Sequence, residues 1–178
     1  VYKRQIYCER AIICSGAWSR KIFSRIPVFP VKGQMLSIQG PTNFLKRVLF
    51  GPNTYLVPRD DGLIVVGATV EKDANFLKGN TPHGINQLQE GIESLLPEAS
   101  GWPQMEHWWG FRPTTPDFKP IIGKSDIENL FLAIGHYRNG VLFSAITSDL
   151  IYKLIQEKTI QKIEINFLEK FRFSRFKI

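Results

Sequence analysis

Residues 131–144 read FLAIGHYRNGVLFS. His136, Tyr137, Arg138, Asn139 and Gly140 stand between two apolar runs that both favour burial. The run before them, Leu130–Ile134, is short and continuous, as in a strand. After them Leu142, Ile146, Leu150 and Leu154 recur every fourth residue, with Ala145 and Ile151 beside them. That spacing predicts a helix from Val141 to about Gln156. A strand, a tight turn and a helix start therefore follow one another directly. The first N–H groups of a helix lack intrahelical partners and carry partial positive charge. Gly140 allows a ligand to approach the backbone closely. A phosphate, a carboxylate or a reducible ring suits such a turn. The plainer alternative is a polar capping loop with Asn139 as N-cap.

The preceding chain has a different texture. Ala11–Cys14 is a short apolar run closed by Ser15-Gly16-Ala17, and reads as a buried strand ending in a turn. Met35–Gln39, Tyr55–Val57 and Leu63–Gly67 read as strands. Asp61-Gly62 lies between the last two and marks a hairpin, because glycine accepts positive φ in a tight turn. Antiparallel sheet is expected from about 31 to 70. Thr81-Pro82 opens a helix that carries Ile85, Leu88, Ile92, Leu95 and Leu96 near helical spacing and stops at Pro97. His107–Phe111 is an aromatic strand, after which Pro113, Pro116 and Pro120 keep the chain extended or turning. The ends thus read as α/β and the middle as α+β, an antiparallel sheet with a helix.

Composition narrows the function. Hydrophobic residues make up 43% of the 178, enough for a core. No apolar run approaches the roughly 20 residues of a membrane span. The formal charge of +7 is concentrated at the ends. Lys3 and Arg4 stand at the start, and seven Lys or Arg face three Glu between 153 and 178, leaving +1 for the body. A nucleic-acid partner is not expected. Phe167, Phe171, Phe173 and Phe176 alternate with basic residues in the tail, and are expected to pack back onto the domain. Cys8 and Cys14 lack metal-like spacing with His83, His107 and His136, so no metal is expected. Reduced cysteines fit a cytoplasmic setting. The opening VYKRQ has no initiator Met and reads as a non-native leader over 1–5.

Two further residues suit a carboxylate. Arg112, in WWGFRPTTPDFKPIIG (108–123), stands between an aromatic strand and Pro113. A guanidinium held at a rigid strand end matches a carboxylate with two parallel hydrogen bonds. The alternative is a surface arginine paired with Asp117. Tyr55, in NTYLVPRDDGLIVVGAT (53–69), opens a strand, where a tyrosine is ordinarily core or rim.

Taken in order, these stretches resemble the C-terminal half of the flavin-dependent D-amino-acid oxidase family, and within it the glycine oxidase group. IICSGAWS (12–19), PVKGQML (30–36), YLVPRDDGLIVVGAT, WGFRPTTPDFKPIIG and AIGHYRNGVLFS match in order and spacing, as does the closing FLEKFRFSRF (167–176). The resemblance implies an α/β plus α+β chain, the C-terminal part of an FAD-binding domain (6–29 and 109–156). An antiparallel-sheet substrate domain (30–108) is inserted in it, and 157–178 form a tail. The N-terminal dinucleotide-binding unit with its G-x-G-x-x-G fingerprint is missing from the sequence.

By position, Tyr55, Arg112 and Arg138 correspond to the family's substrate-binding residues. His136, Tyr137, Arg138, Asn139, Gly140, Val141 and Leu142 correspond to the segment lining the flavin. The resemblance implies, for the full-length protein, oxidative deamination of glycine or a small D-amino acid. A hydride passes to FAD, and O2 is the electron acceptor, giving H2O2. It also implies a link to thiamine biosynthesis and needs no side-chain acid or base. A sarcosine oxidase- or D-amino-acid dehydrogenase-like enzyme is the near alternative. An inert or merely carboxylate-binding module is the distant one. A homo-oligomer is compatible with the sequence.

Overall fold

A computed structural model describes residues 4–176, so residues 1–3 of the expected leader and 177–178 of the tail lie outside the described residues. The chain forms two compact units. One contains the chain up to Pro30 and from Arg112 onward, the other Val31–Phe111.

In the first unit, β1 (Ala11–Ile13) is followed by a short helix, α1 (Ser19–Ile22). After the second unit come β7 (Ile121–Lys124), β8 (Leu130–Ile134), α3 (Gly140–Ile155) and α4 (Lys162–Phe171). The sheet order is β1-β8-β7. β1 runs parallel to β8, with Ile12 opposite Phe131, and β7 runs antiparallel to it, with Ile122 opposite Ala133. The continuous apolar run of β8 reflects burial on both faces. Leu132 and Ile134 pack with Ile13, Ile26, Val28, Ile121 and Phe173. Phe131 packs with Ile122, Leu150 and Ile151 on the other side. Burying each Leu or Ile contributes roughly 1.5–3 kcal/mol.

The end of the chain closes this unit. Phe167 and Phe171 pack against the second cluster, and Phe173 and Phe176 against the first, as expected for the tail. α4 was not expected as a helix. Glu164 accepts from the Gln161 N–H at 2.9 Å at its start. Lys153 on α3 reaches Asp149 at 2.8 Å and Glu164 at 2.6 Å, tying the two helices together.

The sheet of the second unit comprises β2 (Phe29–Gln39, its first two residues in the first unit), β3 (Leu49–Phe50), β4 (Tyr55–Pro58), β5 (Leu63–Gly67) and β6 (Gln104–Thr114, its last three residues in the first unit). Its order is β3-β4-β5-β2-β6. The β4–β5 hairpin turns where expected. Gly62 has φ +86°, and Asp61 Oδ1 accepts from the Leu63 N–H at 3.0 Å. α2 (Pro82–Leu95) starts at Thr81, whose hydroxyl accepts from the Gly84 N–H at 3.1 Å. Leu88 and Ile92 bury against Leu36, Ile38, Leu56, Ile64 and Val66 on one sheet face. β2 is longer than the sequence suggested, because it continues through Pro30 and Gly33. Lys32 forms a backbone bridge to Glu71 and is fully buried, with Nζ 3.7 Å from Glu71 Oε2.

The whole is an α/β fold. Among the described residues, no helix is long and apolar enough to cross a membrane. Nor does any group of three or more His, Cys, Asp or Glu among them offer a metal site.

Candidate substrate and flavin site

The turn after β8 is built by two left-handed residues, Gly135 (φ +74°) and Tyr137 (φ +51°). A Cβ at position 135 would stand 2.8 Å from Thr115 Cγ2, so both conformation and space call for glycine there. The Asn139 N–H donates to the His136 carbonyl at 2.9 Å, closing the turn. α3 then begins at Gly140, and the Phe143 N–H donates to the Asn139 carbonyl at 2.9 Å. Asn139 holds the N-cap position, but its side chain makes no cap bond. The amides of Gly140, Val141 and Leu142 precede the first intrahelical bond. Val141 is 92% and Leu142 76% exposed, so this end of the helix presents apolar side chains and amide donors together. Leu142 and Ile146 continue the helix's apolar spacing but are exposed, in contrast to the buried Leu150.

His136 faces inward. Its Nε2 lies 3.0 Å from Thr147 Oγ1 on α3, and burial pushes its pKa below the usual histidine value. A neutral ring tied to α3 fixes the turn.

A backbone bond joins this turn to the end of β6. The Tyr137 N–H donates to the Pro113 carbonyl at 2.8 Å. Arg112 and Arg138 are the chain neighbours of that bonded pair, both in the first unit. Arg112 is half-buried and Arg138 exposed, its guanidinium carbon 5.5 Å from the Tyr137 ring centre. Phe118 packs edge-on against Tyr137 at 5.5 Å.

The pairing of Arg112 with Asp117, weighed above, is corrected by the structure. Arg175 donates from Nε to Asp117 Oδ2 at 2.8 Å and from Nη2 to Oδ1 at 3.1 Å. The Thr115 hydroxyl and the Lys119 N–H also donate to Oδ1. Sequence reasoning saw the closing Arg-Phe pattern but not its partner 58 residues away.

Tyr55 belongs to the second unit. It opens β4 half-buried, opposite Gly67 on β5, with the Phe50 ring centre 5.9 Å from its own. The neighbours of its hydroxyl, Gly67 and Met35, were not singled out from sequence.

A hollow of about 430 Å³ lies beside the turn. Ile12, Cys14, Ala133, His136, Gly140 and Ile151 are among the residues lining it. A larger cavity, about 560 Å³, lies between β7, α4 and the chain's closing residues, and no candidate residue lines it. Exposed apolar side chains beside unbonded amides are a donor set that fits the ring end of a flavin, whose electronegative edge accepts hydrogen bonds. Among the described residues, no glycine-rich turn joins a strand to a parallel crossover helix, so the fit concerns the ring end.

Known proteins share this fold. The family model described as FAD dependent oxidoreductase matches residues 2–154. The bifunctional protein ThiO/ThiG of Trichormus variabilis is 46% identical over 175 residues, covering 96% of this chain and 26% of that protein. The glycine oxidase of Pseudomonas putida is 36% identical over 152 residues, covering 83% of this chain and 41% of its own length. The crystal structure of glycine oxidase from Bacillus cereus superposes with a TM-score of 0.79 at 30% identity, covering 90% of this chain and 46% of that one. The chain thus spans less than half the length of the relatives it matches. With the match running from before β1 almost to the end of α3, the chain belongs to the FAD dependent oxidoreductase family.

Proposed function

We propose that this chain, in the full-length protein, serves the FAD-dependent oxidative deamination of glycine or a small D-amino acid. O2 is the electron acceptor, and the reaction belongs to thiamine biosynthesis. The names of the relatives support the substrate class, and the turn 135–142 supports the flavin. Two free, exposed cysteines, Cys8 and Cys14, support a cytoplasmic, reducing setting.

The observation that carries the reading is the Tyr137–Pro113 hydrogen bond, which holds Arg112 and Arg138 beside one turn. Arg112 grips the substrate carboxylate through its planar fork. The Tyr55 hydroxyl is a further carboxylate donor. Arg138 adds positive field at the turn. The residues His136 to Leu142 hold the ring end of FAD, which when bound supplies a two-electron acceptor. No acid or base is assigned, since a neutral amine needs none and His136 is committed to Thr147. The chain's own share is positioning and electrostatics.

The test uses the purified full-length protein. A yellow colour with a flavin absorbance band, and peroxide formed on adding glycine or D-alanine, is the expected result. Colourless protein contradicts the flavin assignment. Coloured protein that turns over neither amino acid contradicts the substrate class.

A further inference from the structure

Tyr55, Gly67 and Met35 form one row across three strands. Tyr55 on β4 stands opposite Gly67 on β5, and Gly67 stands opposite Met35 on β2. Residues in such a row are nearest neighbours on one sheet face, and a central side chain keeps the outer two apart. Gly67 has none, and both neighbours lean into the gap. Where its Cβ would stand, Tyr55 Cζ and Oη are each 2.5 Å away and Met35 Cε is 2.8 Å away. Phe50 closes on the tyrosine ring from β3, with centres 5.9 Å apart. Gly67 is absent from the glycines with positive φ, so no left-handed backbone demands it. The space taken by the Tyr55 ring does.

We propose that Gly67 and Met35 are positioning residues for the Tyr55 hydroxyl. Gly67 is the saddle on which the ring lies, and Met35 is the stop against which its polar end rests. The inference rests on the reading of Tyr55 as a carboxylate donor. A phenol hydrogen bond to a carboxylate weakens steeply with distance and angle. A methyl group at position 67 therefore displaces the hydroxyl without touching the substrate.

Five variants of the full-length enzyme test this: Tyr55→Phe, Gly67→Ala, their double, Met35→Ala and Met35→Leu. Tyr55→Phe should raise KM for glycine about tenfold, the loss of one hydrogen bond to a charged group. Gly67→Ala should raise KM by a similar factor, more than it lowers kcat, with flavin content retained. The double variant should match Tyr55→Phe alone, because the saddle has no further effect once the hydroxyl is gone. Met35→Ala should raise KM severalfold and Met35→Leu should restore it. If Gly67→Ala fails to fold, the two Met35 variants decide. A raised KM in Tyr55→Phe with an unchanged KM in Gly67→Ala or Met35→Ala overturns the inference alone, as does an additive double variant. An unchanged KM in Tyr55→Phe overturns the carboxylate reading of Tyr55 and this inference with it.

Discussion

Arg175 grips Asp117 with two parallel hydrogen bonds, 2.8 Å from Nε to Oδ2 and 3.1 Å from Nη2 to Oδ1. Nη2 also donates to the Lys119 carbonyl at 2.7 Å. The closing segment thereby clasps the loop between β6 and β7, which begins three residues after Arg112. Both groups are partly buried, so the pair is shielded from full solvent screening.

Arg175→Ala should destabilise the chain by about 1.5–3 kcal/mol, and Arg175→Lys should recover only part of it. Burial raises the Asp117 pKa, but the bonds from Arg175, Lys119 and Thr115 outweigh it, so the folded value lies below the ordinary one. A lowered carboxylate pKa stabilises above the unfolded value of about 3.9 and is lost as pH falls through the folded value. The gap between wild type and Arg175→Ala, measured by urea unfolding, should therefore shrink below about pH 4.

His136 gives a dependence in the same direction at higher pH. Burial lowers its pKa, so the fold favours the neutral ring. Its stabilising share is complete above the unfolded value of about 6.5 and is lost as pH falls through the folded value. Thermal unfolding from pH 7.5 to 5 should show Tm falling more in wild type than in His136→Gln. Parallel curves would contradict this.

Gln34 ties β2 to the start of α2. Its Nε2 donates to Glu71 Oε1 at 2.7 Å and to Thr81 Oγ1 at 2.9 Å, and its Oε1 accepts from the Thr81 N–H at 2.7 Å. Gly84 leaves room for it, since a Cβ there would lie 2.4 Å from Gln34 Nε2. Gln34→Ala should cost about 2–3 kcal/mol through the amide it strands at Thr81. Gly84→Ala should cost about 1–3 kcal/mol through overpacking. Denaturant midpoints of the two variants check both.

Local chemistry made much of this fold readable. Asp61-Gly62 turns a hairpin and Thr81-Pro82 starts a helix because a few neighbouring atoms decide each outcome. β7 escaped notice because Pro116, Pro120 and Gly123 look like turn residues, while its pairing with β8 comes from distant chain. α4 escaped because Gln161, not Ser, Thr, Asp or Asn, stands at its N-cap. The spacing of Leu142 and Ile146 marked an apolar stripe but carried no information about what covers it. At the site, the residue types and the turn were visible in sequence. The Tyr137–Pro113 bond and the Gly67 saddle were not, because tertiary packing makes both.

The central claim is that the Arg112 guanidinium binds the substrate carboxylate. Its most direct test is the steady-state KM for glycine of full-length Arg112→Ala, with bound flavin measured in the same preparation. Losing a charged, bidentate contact should cost about 2–5 kcal/mol, a rise in KM of roughly 30-fold or more, with flavin content close to wild type. An unchanged KM, or loss of flavin in step with loss of activity, would contradict the account.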